Sequence, residues 1–297
     1  MMGLLIKRWD MSITKDRRMY FIDSPNIFDL SPSSEKMVFV DGNIFKYKYG
    51  FGTFFNPSYL CMYALMNLNK YYKNRNRESK KIFLEIANWL VKNAKSYKGS
   101  CVWTYDFNWR ERKTFLRKPW ISAMSQGLAI SVLSRAHRLT GDKKFLKTAY
   151  KAASIFHIDV KNGGVKTVEN EDVYYEEYPA KPYPRVLDGF IFSLLGIYDL
   201  YSVQKNKDVK DIFDKGVKTL EKNLSRWDFF GVWSRYGSLL SSKDYNNLNC
   251  MLLKVLYGLT KKKIFYDYSN KWGRENLVKF LFVYPSYVLK FFKNYLE

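Results

Sequence analysis

Apolar side chains recur every three or four residues along most of the chain after residue 55, which is the spacing of one face of an α-helix. Polar breaks such as Asn74–Arg77 and Thr140–Asp142 divide the pattern into pairs of helices joined by short turns. The predicted helices cover 57–73, 79–97, 122–139, 143–156, 185–202, 209–224 and 245–259, with a less regular pattern between 266 and 296. Helix pairs in series predict a mainly α array, either a solenoid or a closed or partial toroid.

The first 55 residues follow a different pattern. Residues 36–40 and 44–49 are strand-like runs on either side of Asp41-Gly42, a strong signal for a β-hairpin. At Asn56-Pro57 the chain carries a helix start, with Asn as the N-cap and Pro at the first helical position. We therefore predict an N-terminal hairpin-containing segment at 1–55 and a helical domain at 56–297.

Three long aromatic-rich connections, 98–119, 158–184 and 225–244, separate the helix pairs. If helices run alternately up and down, connections that follow even-numbered helices emerge at the same end of the array. Loops longer than about 12 residues in compact domains are usually functional. The sequence therefore predicts β-hairpin loops at one end that together form a cleft.

The net charge and the aromatic content limit the classes of molecule that this protein is expected to bind. The formal net charge is +22 and 18% of residues are aromatic, which suits phosphate, an anionic membrane or an acidic polysaccharide. No nucleic-acid motif is present, and no apolar run approaches the roughly 20 residues of a membrane span. We expect an acidic polysaccharide or oligosaccharide as partner, no nucleic acid and no integral membrane segment, although a genome that uses Lys freely explains the charge equally well.

Cysteine and histidine usage argues against metal and disulfide chemistry. Cys61, Cys101 and Cys250 lie far apart without metal-ligand spacing, and residues 1–8 lack a signal sequence. His137 and His157 are better explained as structural residues, and zinc-hydrolase, nucleotide-binding and triad motifs are absent. We therefore expect a cytoplasmic protein without a metal or other cofactor.

The remaining chemistry is concentrated in Tyr174–Pro179, which holds three phenols and two carboxylates in six residues. Because Glu176 and Glu177 are adjacent, in an extended strand they face opposite sides, and only one can point into the cleft. Pro179 holds Tyr178 extended. From spacing alone, an edge strand with aromatic packing and solvated glutamates explains this stretch at least as well as a catalytic site does.

Several ordered motifs between residues 119 and 200 resemble a known family. They are Trp120–Ser131 (WISAMSQGLAIS), Leu139–Asp142 (LTGD), Tyr175–Pro179 (YEEYP), Val186–Phe190 (VLDGF) and Leu195–Leu200 (LGIYDL). Together they resemble the D-glucuronyl C5-epimerase family, which includes the heparosan epimerases, and a thinner match continues from 225 to 260. The resemblance implies an incomplete (α/α) toroid and an isomerase that epimerises a uronate at C5 within a polymer, with no metal or nucleotide cofactor.

The resemblance also implies functional residues. The family's catalytic Glu-Tyr pair falls on Glu177 and Tyr178, and its two further active-site tyrosines fall on Tyr236 and Tyr245. We place Glu177 and Tyr178 on one side of the sugar and Tyr236 or Tyr245 on the other. The substrate-binding candidates are Tyr105, Trp120, Gln126, Tyr175, Arg185, Asp188, Arg235 and Lys243, of which the three cations would neutralise the uronate carboxylate.

Other readings stay open. Gly237-Ser238-Leu239 follows Tyr236 where the vertebrate enzymes carry Arg-His, Asn replaces their histidines after Tyr245, and Asp188 stands where the family usually has Asn. These departures favour a microbial uronate-containing glycan, or a shorter or lipid-linked intermediate, over sulfated or N-acetylated heparosan. The alternatives are a uronate polysaccharide lyase, which removes the same proton and then eliminates, and a non-catalytic acidic-glycan-binding module. The family forms dimers, and a homodimer is left open here.

Overall fold

The computed structural model describes residues 30–31, 33–274 and 279 of the chain. These residues form helix hairpins joined by short β-hairpins, which confirms the predicted mainly α class. The chain divides into two compact units, Met1–Thr219 and Leu220–Glu297. The boundary predicted after residue 55 stays a prediction.

Eight α-helices occur among the described residues. They are α1 (Pro57–Asn74), α2 (Arg77–Lys92), α3 (Ala123–Thr140), α4 (Lys143–Ala153), α5 (Leu187–Val203), α6 (Lys207–Asn223), α7 (Lys243–Thr260) and α8 (Lys263–Gly273). Each of the seven regular patterns corresponds to one of α1–α7. The prediction between 266 and 296 is met by α8, and its other residues beyond 274, apart from Lys279, lie outside the described residues. None of the described helices is long and apolar enough to cross a membrane.

Twelve short strands connect the helices within the described part of the chain. They are β1 (Met37–Asp41), β2 (Ile44–Tyr49), β3 (Gly52–Phe54), β4 (Lys95–Tyr97), β5 (Ser100–Val102), β6 (Trp109–Glu111), β7 (Thr114–Leu116), β8 (Lys166–Glu169), β9 (Asp172–Tyr175), β10 (Asp228–Phe229), β11 (Trp233–Tyr236) and β12 (Leu239–Leu240). The predicted N-terminal hairpin is confirmed as β1–β2, which β3 extends to a three-stranded sheet. Its loop is Gly42-Asn43 and not Asp41-Gly42, because Asp41 still pairs with Ile44.

Several helix boundaries differ from the prediction by two or more residues, and two of these differences have clear local reasons. The second helix ends at Lys92 and not at 97, because 95–97 form β4, which turns through Lys98-Gly99 into β5. Both turn residues have the positive φ angles that a tight two-residue hairpin requires, 47° and 79°. Likewise α5 starts at Leu187 and not at 185, since Arg185 has a φ of 56° that no right-handed helix contains.

The core of the first unit is organised by the contact of α3 with α5. Gly127 on α3 faces Gly196 on α5 so closely that a Cβ on Gly196 would lie 1.8 Å from the carbonyl oxygen of Gly127. Farther along the same helices, Arg135 pairs with Asp199 at 3.0 Å, and both side chains are buried. The two glycines let the helix backbones touch, which fixes the two helices against each other.

The second unit joins the β10–β12 sheet to α7 through buried amides. Asn246 on α7 accepts a hydrogen bond from the backbone N–H of Ser234 at 2.8 Å, and Asn249 donates to the Ser234 hydroxyl at 3.0 Å. Asn246 also donates to the carbonyl of Trp272 on α8. These bonds hold β11 to the beginning of α7.

Candidate active site

The Tyr-Glu stretch is fixed by backbone bonds on both sides. The N–H of Glu176 donates to the carbonyl of Val165 at 2.8 Å, just before β8, and the carbonyl of Glu176 accepts the N–H of Ala123 at 3.0 Å. Ala123 is the first residue of α3, so an orphan helix N–H is satisfied by the strand-like stretch. The residues that follow Glu176 are therefore held between the β8–β9 hairpin and the start of α3.

The Glu176 side chain is engaged in an ion pair. Its carboxylate, 2% exposed, binds the Arg185 guanidinium and the Thr167 hydroxyl. The same guanidinium lies 3.8 Å from the centre of the Tyr174 ring, in a cation–π contact. Arg185 is thus committed to Glu176 in this structure, and its predicted substrate-binding role stays a prediction.

The Glu177 side chain does not share the contacts of Glu176, and it lies in the bend that follows β9. It packs on the first turn of α5 so closely that a Cβ on Gly189 would lie 2.1 Å from Glu177 Oε2 and 2.8 Å from Cδ. Glu177 Oε2 is buried and accepts no hydrogen bond from the described residues. The Glu177 carboxyl is therefore available to a ligand or a proton in a way that the Glu176 carboxylate is not.

Burial and a like charge both act on this carboxyl. Loss of solvent raises the pKa of Glu177 well above its ordinary value, and the Asp188 carboxylate raises it further, while a hydrogen bond with the Tyr178 side chain opposes these effects. Burial also raises the pKa of Asp188 to about 7, against backbone N–H bonds from Asp188 itself and Gly189. Carboxyl groups with pKa values displaced toward neutrality can transfer protons in both directions.

An aromatic cluster supports Tyr178. Trp120 stacks on Tyr105 with ring centres 4.0 Å apart and an interplanar angle of 7°, and the Tyr178 ring lies 6.0 Å from Trp120. The backbones of Tyr105 and Trp120 form a two-bond bridge. The connection after α2 therefore meets the connection that leads from α4 to α5, as expected if connections that follow even-numbered helices emerge at the same end.

Three residues near Glu177 were not singled out by the sequence. The charge of Glu177 raises the pKa of Tyr59, an effect smaller than those of burial and of Tyr49 and Tyr47, so Tyr59 lies near the carboxyl. Glu111 on β6 raises the pKa of both Glu177 and Asp188. The helix start at Asn56 was the available signal for Tyr59, because it places that residue in the first turn of α1. Gly189 belongs to the VLDGF motif of the family resemblance but was not singled out within it, and no comparable signal marked Glu111.

Three predicted substrate-binding residues are buried in the first unit. Tyr105 shares a hydrogen bond with the Ser58 hydroxyl at 2.8 Å, and Tyr175 donates to the carbonyl of Ile212 at 2.8 Å. Gln126 donates to the carbonyl of Trp103 at 3.0 Å, while its Oε1 is buried and accepts no bond from the described residues. Their side chains support the site, and contact with a substrate stays a prediction for each.

A cavity of about 370 Å³ opens beside this cluster within the first unit. Its wall combines the Trp120 ring with Pro179 and Ala180, and two cations, Lys95 and Arg117, also line it. Lys95 pairs with Asp106 at 3.3 Å. A volume of this order suits a small ligand, and an aromatic face with nearby cations suits an acidic sugar.

The second unit carries the other predicted residues. The rings of Tyr236, at the end of β11, and Tyr245, in the first turn of α7, meet edge to face with centres 5.2 Å apart. Arg235 donates to the carbonyls of Asp228 and Ser238, and Lys243 is exposed at the start of α7. The two tyrosines thus form a pair held by the bonds between β11 and α7. Their predicted roles, and those of the two cations, stay predictions.

Within the described residues, no group of three or more His, Cys, Asp and Glu side chains is placed to hold a metal ion. Cys61, Cys101 and Cys250 are buried free thiols. The polar chemistry of the candidate site is therefore that of carboxyl, phenol and guanidinium groups.

Comparison with known proteins gives a family match. The family model described as D-glucuronyl C5-epimerase C-terminus matches residues 98–274, well over half of this chain. The D-glucuronyl C5-epimerase of Caenorhabditis elegans is 32% identical over 219 residues, which cover 67% of this chain and 35% of that protein. The chain thus spans about a third of the length of this curated relative.

Solved structures show the fold. A family 76 glycoside hydrolase (mannosidase) from Bacteroides thetaiotaomicron matches with a TM-score of 0.50 at 13% identity, over 77% of this chain and 60% of that one. A cellobiose 2-epimerase from Bacillus thermoamylovorans matches with a TM-score of 0.51 at 10% identity, over 72% of this chain and 58% of that one. Both are (α/α) toroids, which confirms the predicted fold.

Proposed function

Because the chain belongs to the D-glucuronyl C5-epimerase C-terminus family, we propose that it epimerises a uronate residue at C5 within an acidic polysaccharide or oligosaccharide. The observation that carries this proposal is the Glu177 carboxyl, which is buried, has an oxygen without a donor among the described residues and bonds the Tyr178 side chain. These two side chains fall on the family's Glu-Tyr motif.

The reaction needs one proton to leave and another to arrive. The hydrogen on C5 lies next to the uronate carboxyl group, so its removal by a base leaves an enolate-like species whose extra charge is spread over that group. Return of a proton to the opposite face of C5 inverts the centre and restores the carboxylate, without a net change in atoms or electrons. A carboxyl and a phenol on opposite faces can perform these steps when their pKa values approach the working pH.

We assign Glu177 and Tyr178 to one face of the sugar. Tyr236 and Tyr245 keep the role that the family resemblance implies, as candidates for the second proton carrier. Cations are needed because the substrate carboxylate gains charge in the transition state, where preorganised charge is often the largest catalytic contribution. Arg185, Arg235 and Lys243 are the candidates for this role; Arg185 is paired with Glu176, and Arg235 donates to two backbone carbonyls.

Solvent exchange tests the function directly. The chain is incubated in deuterated water with unsulfated and sulfated polymers that contain D-glucuronate, and NMR follows deuterium at C5 and the appearance of the C5-inverted residue. We expect both signals with at least one polymer. An unsaturated product that absorbs ultraviolet light would instead identify a lyase, and saturable binding without exchange would identify a binding module.

Gly189→Ala is expected to lower the rate of C5 exchange by about 100-fold. The new methyl group would overlap the Glu177 carboxyl, and a displacement of about 1 Å at a reacting group can cost about that factor. Helix stability should not fall, because Ala is favoured over Gly within a helix by roughly 0.5–1 kcal/mol. The measurement is the exchange rate together with a thermal melt.

A matched helical glycine serves as the control for this substitution. A Cβ on Gly216, in α6, would meet the Leu194 and Tyr175 side chains and not Glu177. Gly216→Ala should therefore affect the melting temperature more than the exchange rate. Equal loss of exchange in the two variants would show that the contact of Gly189 with Glu177 is not what matters.

A further inference from the structure

We propose that Asp188 is a positioning residue of this site: Asp188 and Glu177 form a pair of buried carboxyls that holds one proton, with the proton on Glu177 and the negative charge on Asp188. The pair would make Glu177 a carboxylic acid in the resting protein, ready to donate its proton. The catalytic meaning of this assignment rests on the proposed function, whereas the existence of the pair does not.

Burial and unmet hydrogen bonds are the first evidence for the pair. Asp188 is 2% exposed, and one oxygen of each carboxyl, Asp188 Oδ1 and Glu177 Oε2, is buried without a donor among the described residues. Two ionised carboxylates in this state would each lack part of the solvation that a charge needs, and they would also repel each other. One proton removes one of the charges and supplies a donor.

The start of α5 decides which carboxyl keeps the charge. Asp188 is the second residue of the helix, and its carboxyl accepts N–H bonds from its own backbone and from Gly189. The residue before the helix, Val186, is the N-cap and has no side-chain acceptor, so Asp188 supplies the acceptor that the helix end lacks. Free N–H groups and the helix dipole both favour a negative charge there.

The surroundings of Glu177 stabilise a negative charge less well than those of Asp188. Its carboxyl packs against the Cα of Gly189, and the polar group that is shown to bond it is the Tyr178 side chain. A neutral carboxylic acid tolerates this apolar contact better than a carboxylate does. The rise in the pKa of Glu177, which burial and then Asp188 cause, agrees with a protonated Glu177.

Among the described residues, the titratable groups that act on Glu177 do not include a cation. Tyr59 and Tyr105 have raised pKa values, mainly through burial, and stay neutral. The negative charge of Glu111 raises the pKa of both Glu177 and Asp188. Glu111 also pairs with Arg112 at 3.3 Å, which moderates this effect. Asp188 is therefore the charge with the largest influence on Glu177.

NMR titration of the protein labelled with ¹³C at the Glu carboxyl carbons tests the pair without any substrate. The Glu177 signal is identified by its loss in Glu177→Gln. In the unmodified chain we expect it to titrate well above the ordinary range of Glu, and in Asp188→Asn to titrate lower by about one pH unit or more, because a like charge has been removed. Glu111→Gln is the matched control and should move it less.

The reciprocal experiment covers the case in which Asp188→Asn fails to fold. With label on the Asp carboxyl carbons, the Asp188 signal is identified by its loss in Asp188→Asn or by backbone assignment. Its main step should lie below the Glu177 midpoint, because Asp188 ionises while Glu177 keeps its proton, and a smaller second step at the Glu177 midpoint should disappear in Glu177→Gln, since coupling between two sites is mutual. An ordinary midpoint for Glu177 in the unmodified chain would overturn the proposal. So would an Asp188 signal without the second step, or a Glu177 midpoint that Glu111→Gln moves as far as Asp188→Asn does.

Activity then separates this proposal from the proposed function. If C5 exchange occurs, the high-pH limb of its pH profile, where Glu177 loses the proton that it donates, should shift to lower pH in Asp188→Asn together with the NMR midpoint. If the two titrations are coupled but no uronate polymer shows exchange, the carboxyl pair is supported and the proposed epimerase function is contradicted. If exchange occurs but the titrations are not coupled, the proposed function is supported and the carboxyl pair is contradicted.

Discussion

Glu177→Gln is expected to reduce C5 exchange by at least about 100-fold, and by as much as about 10,000-fold, the range over which a positioned general acid or base contributes. Gln keeps the size of the side chain and its contact with Gly189, but it can neither accept the C5 proton nor donate one. The folded state should be retained, because the substitution removes a buried carboxyl with an unmet oxygen. Exchange is measured by NMR in deuterated water, and the fold by circular dichroism.

The control for this substitution lies in the same connection. Glu171 is exposed in the turn between β8 and β9, so Glu171→Gln removes the same charge from the same hairpin without touching the site. It should exchange at the unmodified rate. If Glu177→Gln still exchanges at the unmodified rate, Glu177 is not a proton carrier in this reaction, whatever its burial and pKa.

Gly196→Ala is expected to lower the free energy of unfolding by about 1–3 kcal/mol or more, the cost of overpacking a well-packed core. The added Cβ would lie 1.8 Å from the carbonyl oxygen of Gly127 and 2.4 Å from its carbonyl carbon. These are backbone atoms, which cannot rotate away as a side chain can, so α3 and α5 would have to separate. Thermal or urea unfolding measures the effect.

Separation of the two helices should also reach the candidate site. The first residue of α3 bonds the carbonyl of Glu176, and the first turn of α5 contacts Glu177. A Cβ on Gly50, in contrast, meets no described atom within 4 Å, so Gly50→Ala serves as the control and should leave stability almost unchanged. Equal stability of Gly196→Ala and the unmodified chain would contradict the close helix contact.

The sequence predicts helices well here because apolar spacing and caps agree. Asn56 and Pro57 mark the start of α1 to the residue, and the Asn56 side chain accepts the N–H of Tyr59 as expected. Where boundaries failed, the decisive property was a backbone angle. Lys98 and Arg185 both have positive φ, which is uncommon for such residues and which no composition signal announces.

The site was predicted only in part, for a similar reason. The two glutamates have different contacts, as predicted, and the family resemblance, now confirmed by the family match, selects Glu177, whose catalytic role stays a prediction. The partners of Glu177 come from distant stretches, with Tyr59 on α1 and Gly189 on α5. Such neighbours depend on how helices pack, and hydrophobic spacing does not encode which side chain on one helix meets a loop from another.

Because the two glutamates have different partners, the number of residues in this stretch matters as much as their type. Glu176 is held by Arg185 and by the start of α3, while its neighbour faces α5. Deletion of Glu176 would bring Glu177 to the position whose backbone bonds Val165 and Ala123, beside the Arg185 guanidinium. A related chain with one glutamate fewer in this stretch would therefore carry a carboxylate beside the arginine and none that faces α5.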